Sequence, residues 1–294
     1  MLDFERLREL RAHHPSAVAE AAASRRRRPL LGADGRLMLV AADHPARGAL
    51  GVRGVPDAMA DRYDLLRRLV TTLERPGVDG LLGTPDIVED LLLLGALDSK
   101  VVIGSMNRGG VQGASFELDD RFTGYDAPAI AAMGFDGGKM LARIDLGDAG
   151  SVATLESCGR AISELAGRGL MAMVEPFLAH RVNDRVVNDL SAPAVRKSVV
   201  IAAGLGATSA YTWLKLPVVD GMDQVMAATT LPTLLLGGDP SGDPEHTYAK
   251  WKQALELPGV RGLVVGRALL YPPDGDVAGA VDAAVSLVRA GGAT

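Results

Sequence analysis

The sequence is poor in cysteine, lysine and aromatic residues, and it has no long apolar run. Only six of its 31 basic residues are lysines, and 4% of its residues are aromatic. The single cysteine, Cys158, excludes an internal disulfide and is typical of a reducing compartment. Because no apolar run approaches the length of a membrane span and the first residues include acids, we expect a cytoplasmic protein without a membrane segment or secretory signal.

The charge balance argues against a nucleic-acid partner. The formal net charge is −5, and the one basic run, Arg25 to Arg28, has no aromatic neighbours. We interpret that run as a solvated face or a linker. Only five histidines are present and none forms a ligand-spaced pair at a strand end, so the sequence predicts neither a metal site nor a cofactor.

Short apolar strands alternate with amphipathic helices from residue 36 almost to the end of the chain. The predicted strands are Leu37 to Ala42, Gly80 to Gly83, Val101 to Ser105, Met140 to Leu146, Leu170 to Glu175, Ser209 to Lys215, Thr233 to Gly237 and Gly262 to Val265. Strands that are apolar throughout and separated by helices pair in parallel. Eight of them predict an α/β fold, a closed (β/α)₈ barrel, rather than an open doubly wound sheet. No Gly-x-Gly-x-x-Gly follows the first strand, which disfavours a dinucleotide-binding domain.

Two further segments complete the predicted organisation. Residues 3–24 indicate one or two helices broken near Pro15, so we divide the chain into an N-terminal helical extension, 1–35, and a barrel domain, 36–294. The longest turn, Asn107 to Tyr125, follows the third strand. A loop of that length can be an active-site lid, an oligomer contact or a simple excursion, and the sequence leaves these open.

The most informative lysine is Lys215, which lies near the end of the strand-forming run Ala210 to Val219. Desolvation lowers the pKa of an amine and makes it nucleophilic at neutral pH, as Schiff-base chemistry requires. A lysine in a strand can also simply reach solvent at the strand end. The other strand ends bear on the choice, because the active sites of these barrels lie at the carboxyl ends of the strands.

Carboxylates and cations occupy several of these strand ends. Strand periodicity puts Lys139, Leu141, Arg143 and Asp145 on one face of the fourth strand. The predicted catalytic set is Lys215, Glu175, Asp43, Lys139 and Asp145. In this set Lys215 is the nucleophilic amine and a carboxylate transfers protons during imine formation and C–C cleavage. Asp43 and Asp145 could instead cap helices or turns, and His44 is interpreted as a structural neighbour of Asp43.

A phosphate site is predicted after the last two strands. Both strands end in glycine, where backbone N–H groups can approach an anion closely, and a basic residue follows the second. Phosphate commonly binds at this place in such barrels. The predicted substrate- and phosphate-binding residues are Arg108, Arg143, Gly237, Gly238, Gly266 and Arg267.

These stretches together resemble a known family. The matching segments are Leu39 to His44, Gly138 to Asp145, Met173 to Pro176, Leu214 to Pro217, Thr233 to Gly238 and Gly262 to Arg267. In this order and spacing the chain resembles the class I (Schiff-base) aldolases of the tagatose-1,6-bisphosphate, deoxyribose-phosphate and archaeal-type fructose-bisphosphate group, as an actinobacterial-type variant.

The resemblance implies a metal-independent lyase. It implies that Lys215 forms the imine, Glu175 moves protons, Asp43 and Lys139 position substrate hydroxyls, and the two glycine turns with Arg267 hold a phosphate. Arg143 and Ile144 stand where the sugar-bisphosphate enzymes carry aromatic residues, and Gly-Gly-Asp-Pro follows the seventh strand. These differences leave the substrate open among a sugar bisphosphate, deoxyribose phosphate and a deoxy-keto-gluconate phosphate.

The expected partner is therefore a small phosphorylated sugar or keto acid, with a homo-oligomer possible. Two other functions stay open at this point. One is a metal-assisted lyase or isomerase using Asp43, Asp145, Glu175 and a histidine. The other is a non-catalytic barrel that binds a sugar phosphate, in which Lys215→Ala changes neither ligand binding nor any turnover.

Overall fold

Eight parallel strands form a closed barrel surrounded by helices, as the sequence predicts. The computed structural model describes residues 2–108, 110–238 and 242–290. The barrel strands are β1 Leu37–Ala42, β2 Gly80–Gly83, β3 Val101–Ser105, β4 Gly137–Ile144, β5 Met171–Val182, β7 Thr212–Leu216, β8 Thr233–Leu236 and β9 Val260–Val265. They pair in the order β4-β3-β2-β1-β9-β8-β7-β5, and pairing of β4 with β5 closes the ring. The fold is thus a (β/α)₈ barrel with additional N-terminal helices.

The helices follow the strands in the expected alternation. They are α1 Phe4–His13, α2 Ala17–Ser24, α3 Arg62–Glu74, α4 Pro85–Leu93, α5 Ala127–Ala132, α6 Gly150–Ala166, α7 Ala192–Ala203, α8 Met222–Met226, α9 Pro244–Leu255, α10 Arg267–Leu270 and α11 Val277–Ala290, with a 3₁₀ turn at Pro45–Arg47. Cys158 is buried in α6, where burial raises the pKa of its thiol to about 12. In the described ranges, no helix combines the length and apolarity needed to cross a bilayer.

The alternation of each strand determines which side chains enter the barrel. In β1, Leu37, Leu39 and Ala41 belong to the inner cluster, whereas Met38 and Val40 pack under the outer helices. Met173 on β5 and Trp213 on β7 also contribute to the inner cluster. Because side chains alternate along a strand, the residue two positions after each of these inward residues also points inward, now at the barrel mouth. The polar residues there are Asp43, Glu175 and Lys215.

The fifth strand is longer than the sequence analysis predicted. Instead of ending at Glu175, β5 continues to Val182 and pairs antiparallel with a ninth strand, β6 Arg185–Asn188. Asn183 and Asp184 connect the two strands with φ of 48° and 61°. Two central residues with positive φ are typical of a type I′ hairpin turn. This hairpin lies outside the barrel ring and extends beyond the ends of the other strands.

The basic run joins α2 to β1, and Arg26 and Arg27 are exposed as predicted, but Arg25 is buried and the run is not a loose linker. Arg25 is buried and donates to the backbone oxygens of Lys100, at 2.6 Å, and Gly134, at 2.8 Å. Each of the next three arginines forms an ion pair with an aspartate that precedes or follows a barrel element: the pairs are Arg26–Asp98, Arg27–Asp136 and Arg28–Asp79. The run therefore attaches the chain after α2 to the amino-terminal end of the barrel.

Replacing Arg25 tests this attachment. In Arg25→Ala two carbonyl groups lose a buried charged donor, so we expect the free energy of unfolding to fall by about 2–4 kcal/mol. The matched control is Arg26→Ala, whose side chain is 78% exposed; a surface ion pair of this kind contributes little to stability, so we expect a much smaller loss. Urea denaturation measures both. Equal and small losses would support the linker interpretation instead.

Candidate active site

A cavity of about 380 Å³ opens at the carboxyl ends of the barrel strands. Four of the five predicted catalytic residues line it: Asp43, Lys139, Glu175 and Lys215. Asp43 follows β1, Lys139 lies on β4, and Glu175 and Lys215 lie on the paired strands β5 and β7. Residues far apart in the chain, such as Asp43 and Lys215, thus line one cavity because their strands end at the same face of one ring.

These four side chains form one hydrogen-bonded cluster. Lys139 Nζ lies 2.7 Å from Asp43 Oδ2 and 2.6 Å from Glu175 Oε2. Lys215 Nζ lies 3.2 Å from the same Glu175 oxygen. No member of the cluster exposes more than 12% of its side chain. Two carboxylates and two ammonium groups cancel in charge, which is the condition under which buried ions are tolerated.

The cluster keeps its carboxylates ionised. Burial alone would raise the pKa of Glu175, but the charges of Lys139 and Lys215 outweigh it and lower that pKa to about 2. The pKa of Asp43 is lowered in the same way, against burial, chiefly by Lys139. Burial would lower the pKa of Lys139, but Asp43 and Glu175 raise it. In the resting site at neutral pH, Lys139 is therefore a cation between two anions.

His44 lies in the wall of the same cavity. Its Nδ1 is 3.7 Å from Asp43 Oδ1 and has no hydrogen-bond partner among the described residues. Burial lowers the pKa of His44 to about 4, since the nearby cations Arg267 and Lys215 oppose the raising effect of Asp43. The imidazole is therefore neutral at physiological pH. His44, interpreted from the sequence as a structural neighbour of Asp43, lines the cavity beside the lysine–carboxylate cluster.

The predicted phosphate-binding residues converge on one side of the cavity. Gly237, Gly238, Gly266 and Arg267 all line it. Gly238 has φ of 69°, which favours glycine, and a Cβ on Gly266 would lie 2.5 Å from the carbonyl oxygen of Ala41. Within the described ranges the guanidinium of Arg267 has only the Gly51 carbonyl as a partner, at 3.5 Å, and its Nε is buried without one. Asp239 and Pro240 of the predicted turn lie outside the described residues.

Two predicted site residues lie elsewhere. Asp145 follows the last residue of β4, and its carboxylate accepts a hydrogen bond from the Gly147 N–H at 2.9 Å. Asp145 is therefore a turn residue. The prediction failed because two-residue periodicity holds only while the chain stays extended, and β4 ends one residue earlier. Arg108 donates to the Thr123 carbonyl at 2.9 Å and does not line the cavity.

Arg143 does line the cavity, but it is already paired. Its guanidinium forms a buried ion pair with Glu117 and donates to the backbone oxygens of Gly110 and Glu117. Glu117 belongs to the long loop after β3, which also supplies Gln112 to the cavity wall. The loop is therefore a wall of the site. The acidic residues of this loop could have suggested that Glu117 belongs to the site, but nothing in the sequence pairs it with Arg143.

The hairpin supplies a second, mostly apolar wall that sequence analysis missed. Phe177, Val186 and Leu190 line the cavity together with Asn188. The Asn183-Asp184 pair, of residue types that tolerate positive φ, was the available sequence signal for the turn of this hairpin. Among the described residues, no group of three or more His, Cys, Asp or Glu side chains is arranged to hold a metal ion.

Comparisons with solved structures give the fold and one close relative. The crystal structure of Cgl0159 from Corynebacterium glutamicum is 59% identical, with a TM-score of 0.96 over 98% of this chain and 97% of that one. A Schiff-base-forming fructose-1,6-bisphosphate aldolase is 21% identical, with a TM-score of 0.63 over 92% of this chain and 99% of that one.

An archaeal fructose-1,6-bisphosphate aldolase, whose catalytic lysine carries a carbinolamine intermediate, is 20% identical, with a TM-score of 0.65 over 92% of this chain and 99% of that one. These two aldolases share the barrel fold with this protein. No match was found among proteins with curated functions. The family model described as Cgl0159-like matches residues 35–285, and the chain belongs to that family.

Proposed function

We propose that the protein is a class I aldolase in which Lys215 forms an imine with the carbonyl carbon of a phosphorylated sugar or keto acid. One observation carries the proposal. The amine of Lys215 lies in the wall of the cavity, 3.2 Å from a carboxylate that can exchange protons with it. A buried amine beside a proton acceptor is the arrangement that imine formation requires.

Lys215 is a better nucleophile than Lys139, the other lysine of the cluster. Lys139 donates to two carboxylates at 2.7 and 2.6 Å, and these raise its pKa. Losing its proton would leave both carboxylates without their closest cation. Among the described residues the amine of Lys215 has a hydrogen bond only to Glu175, at the longer distance of 3.2 Å. Lys215 is therefore the less constrained of the two amines and the freer to reach a substrate carbonyl.

The reaction follows from these contacts. Glu175 takes a proton from Lys215, whose free amine attacks the substrate carbonyl and forms a carbinolamine. The same carboxyl group returns the proton to the departing oxygen, so that water leaves and an iminium remains. A carboxylate then removes the proton of the hydroxyl on the β-carbon and the C–C bond breaks. Its electron pair moves into the iminium, which becomes an enamine, and the other fragment leaves as an aldehyde. Protonation of the enamine and hydrolysis release the second product.

Asp43 and the phosphate side complete the proposed site. Asp43 and Lys139 are held in one geometry by their 2.7 Å contact, and they are suited to orient substrate hydroxyl groups. On the other side, Arg267 and the glycine turns offer a cation and closely approachable backbone to a phosphate. His44 adds a neutral hydrogen-bonding group between the two.

Reductive trapping tests the imine. Incubation with dihydroxyacetone phosphate and sodium borohydride is expected to reduce the iminium to a stable secondary amine on Lys215, located by peptide mass spectrometry. Lys215→Met should lose the adduct, and Lys197→Met, a change at an exposed lysine, should keep it. Absence of an adduct on Lys215 across a panel of ketose phosphates and keto acids, or its appearance on Lys139, would contradict the proposal.

The role of Glu175 is tested by its amide. Glu175→Gln keeps the shape but cannot carry a proton, so we expect kcat to fall by about 10²- to 10⁴-fold with a smaller change in KM. Steady-state assays on a substrate that gives the adduct measure this. The control is Glu156→Gln, whose carboxylate is 66% exposed on α6. Thermal melting separates a folding defect from a catalytic one, and an unchanged kcat would remove Glu175 from the mechanism.

The environment of His44 predicts a pH dependence of stability. Its pKa is about 4 in the folded protein and about 6.5 in an unfolded chain. Between these values the unfolded state binds more protons, so stability should fall as pH decreases from about 6.5 to about 4. The slope from this group is at most about 1.4 kcal/mol per pH unit. Denaturant midpoints for His44→Gln should show a flatter profile in this window, whereas the exposed His246→Gln should match the parent; parallel profiles would refute the assignment.

A further inference from the structure

Two sides of the cavity that carry an arginine, the β4 side and the β9 side, lie opposite each other in the barrel. In the closed order, β4 and β9 are separated by four steps in either direction. Arg267 follows β9, whereas Arg143 lies on β4, and both line the cavity. A linear substrate with charged groups at both ends would span the mouth from one arginine to the other. The state of each arginine therefore determines how many charged ends the site accepts.

Two cavity arginines, Arg143 on β4 and Arg47 in the turn after β1, are already neutralised where the long loop after β3 meets the β4 side. Arg143 is paired with Glu117, and Arg47 lies 2.8 Å from Asp120. Both acids are buried and both come from the long loop after β3. Arg47 also donates to the carbonyl of Gly110 at 2.9 Å, and Arg143 donates to the same oxygen at 3.3 Å. A phosphate arriving here would meet one buried carboxylate for each guanidinium.

The β9 side differs in this respect. Within the described ranges Arg267 has no carboxylate partner, only a carbonyl at 3.5 Å, and its buried Nε donates to nothing. The four-residue lysine–carboxylate cluster between the two sides is itself neutral. Above the β4 side the wall is formed by Phe177, Val186 and Leu190, which add apolar surface and no cation. Among the described residues, the uncompensated positive charge of the cavity is thus at one end.

We infer that the site is built for a substrate with a phosphate at one end only, bound at Arg267 and the glycine turns, with a non-phosphorylated half toward Glu117 and the hairpin. The inference rests on the proposed function for the reaction but not for the charge pattern. A second phosphate would face Glu117 and Asp120 in a region of low dielectric, where like charges repel strongly. The loop acids are then specificity-determining residues.

Ligands that cannot form an imine isolate this question from the chemistry. A hexitol 1-phosphate and the corresponding hexitol 1,6-bisphosphate are linear six-carbon chains that lack a carbonyl. Isothermal titration of the full-length protein should give a Kd at least tenfold lower for the monophosphate. Arg267→Ala should weaken monophosphate binding by tenfold or more. A bisphosphate that binds as tightly as the monophosphate, or more tightly, would overturn the inference without the need for any variant.

The loop acid is tested by a matched pair of amides. Glu117→Gln removes the carboxylate that compensates Arg143 and should reduce the discrimination between the two hexitols at least fivefold, mainly by tighter binding of the bisphosphate. Asp119→Asn changes a carboxylate of the same loop that pairs with Arg121 outside the cavity, and should leave the ratio unchanged. An unchanged ratio in a folded Glu117→Gln would overturn the role of the loop. Preference for the monophosphate without a trapped adduct on Lys215 would instead refute only the aldolase proposal.

Discussion

The bridge from Lys139 to two carboxylates is the interaction on which the rest of the site depends. An ionised group in a barrel interior is costly unless its charge is balanced and its hydrogen bonds are made. Lys139 meets that condition for Asp43 and Glu175 at 2.7 and 2.6 Å. Without it, two carboxylates would face each other across the mouth, and the pKa of one of them would rise. Lys215 then has a carboxylate neighbour that is ionised and already anchored by another cation.

The regular alternation of the barrel strands is enough to direct the side chains of the site into the cavity. In β1 the inner positions are apolar until the strand ends, as in Leu37, Leu39 and Ala41 before Asp43, whereas β4 carries the inward Lys139 nearer its start. The change from apolar to polar thus requires no irregular backbone, because the inward direction is already set by strand alternation. The same rule places Lys215 two residues after Trp213. The reactive groups are therefore held by the most rigid elements of the molecule, which favours precise positioning.

The sequence predicts what regular periodicity determines, and fails where pairing is long-range or the backbone turns. The bounds of β1, β2 and β3 follow from local patterns, and the two-residue alternation of a strand alone points Lys139, Glu175 and Lys215 inward. This alternation ends with the strand, so it could not place Asp145, which follows β4. The partners of Arg25 to Arg28 lie 51 to 109 residues away, and no local pattern contains them. The pairing of Glu117 with Arg143 has the same origin, because it depends on how the loop packs.

The proposed reaction also keeps the buried cluster neutral at each stage. A protonated amine and a carbonyl become an iminium and water, so the positive charge stays on the nitrogen of Lys215. In C–C cleavage the iminium loses that charge as it becomes an enamine, and a carboxylate loses its negative charge by accepting the hydroxyl proton. Positive and negative charge disappear together, and both return when the enamine is protonated. A site with two carboxylates and two amines can therefore pass through the whole cycle without an uncompensated ion in a medium where one would be expensive.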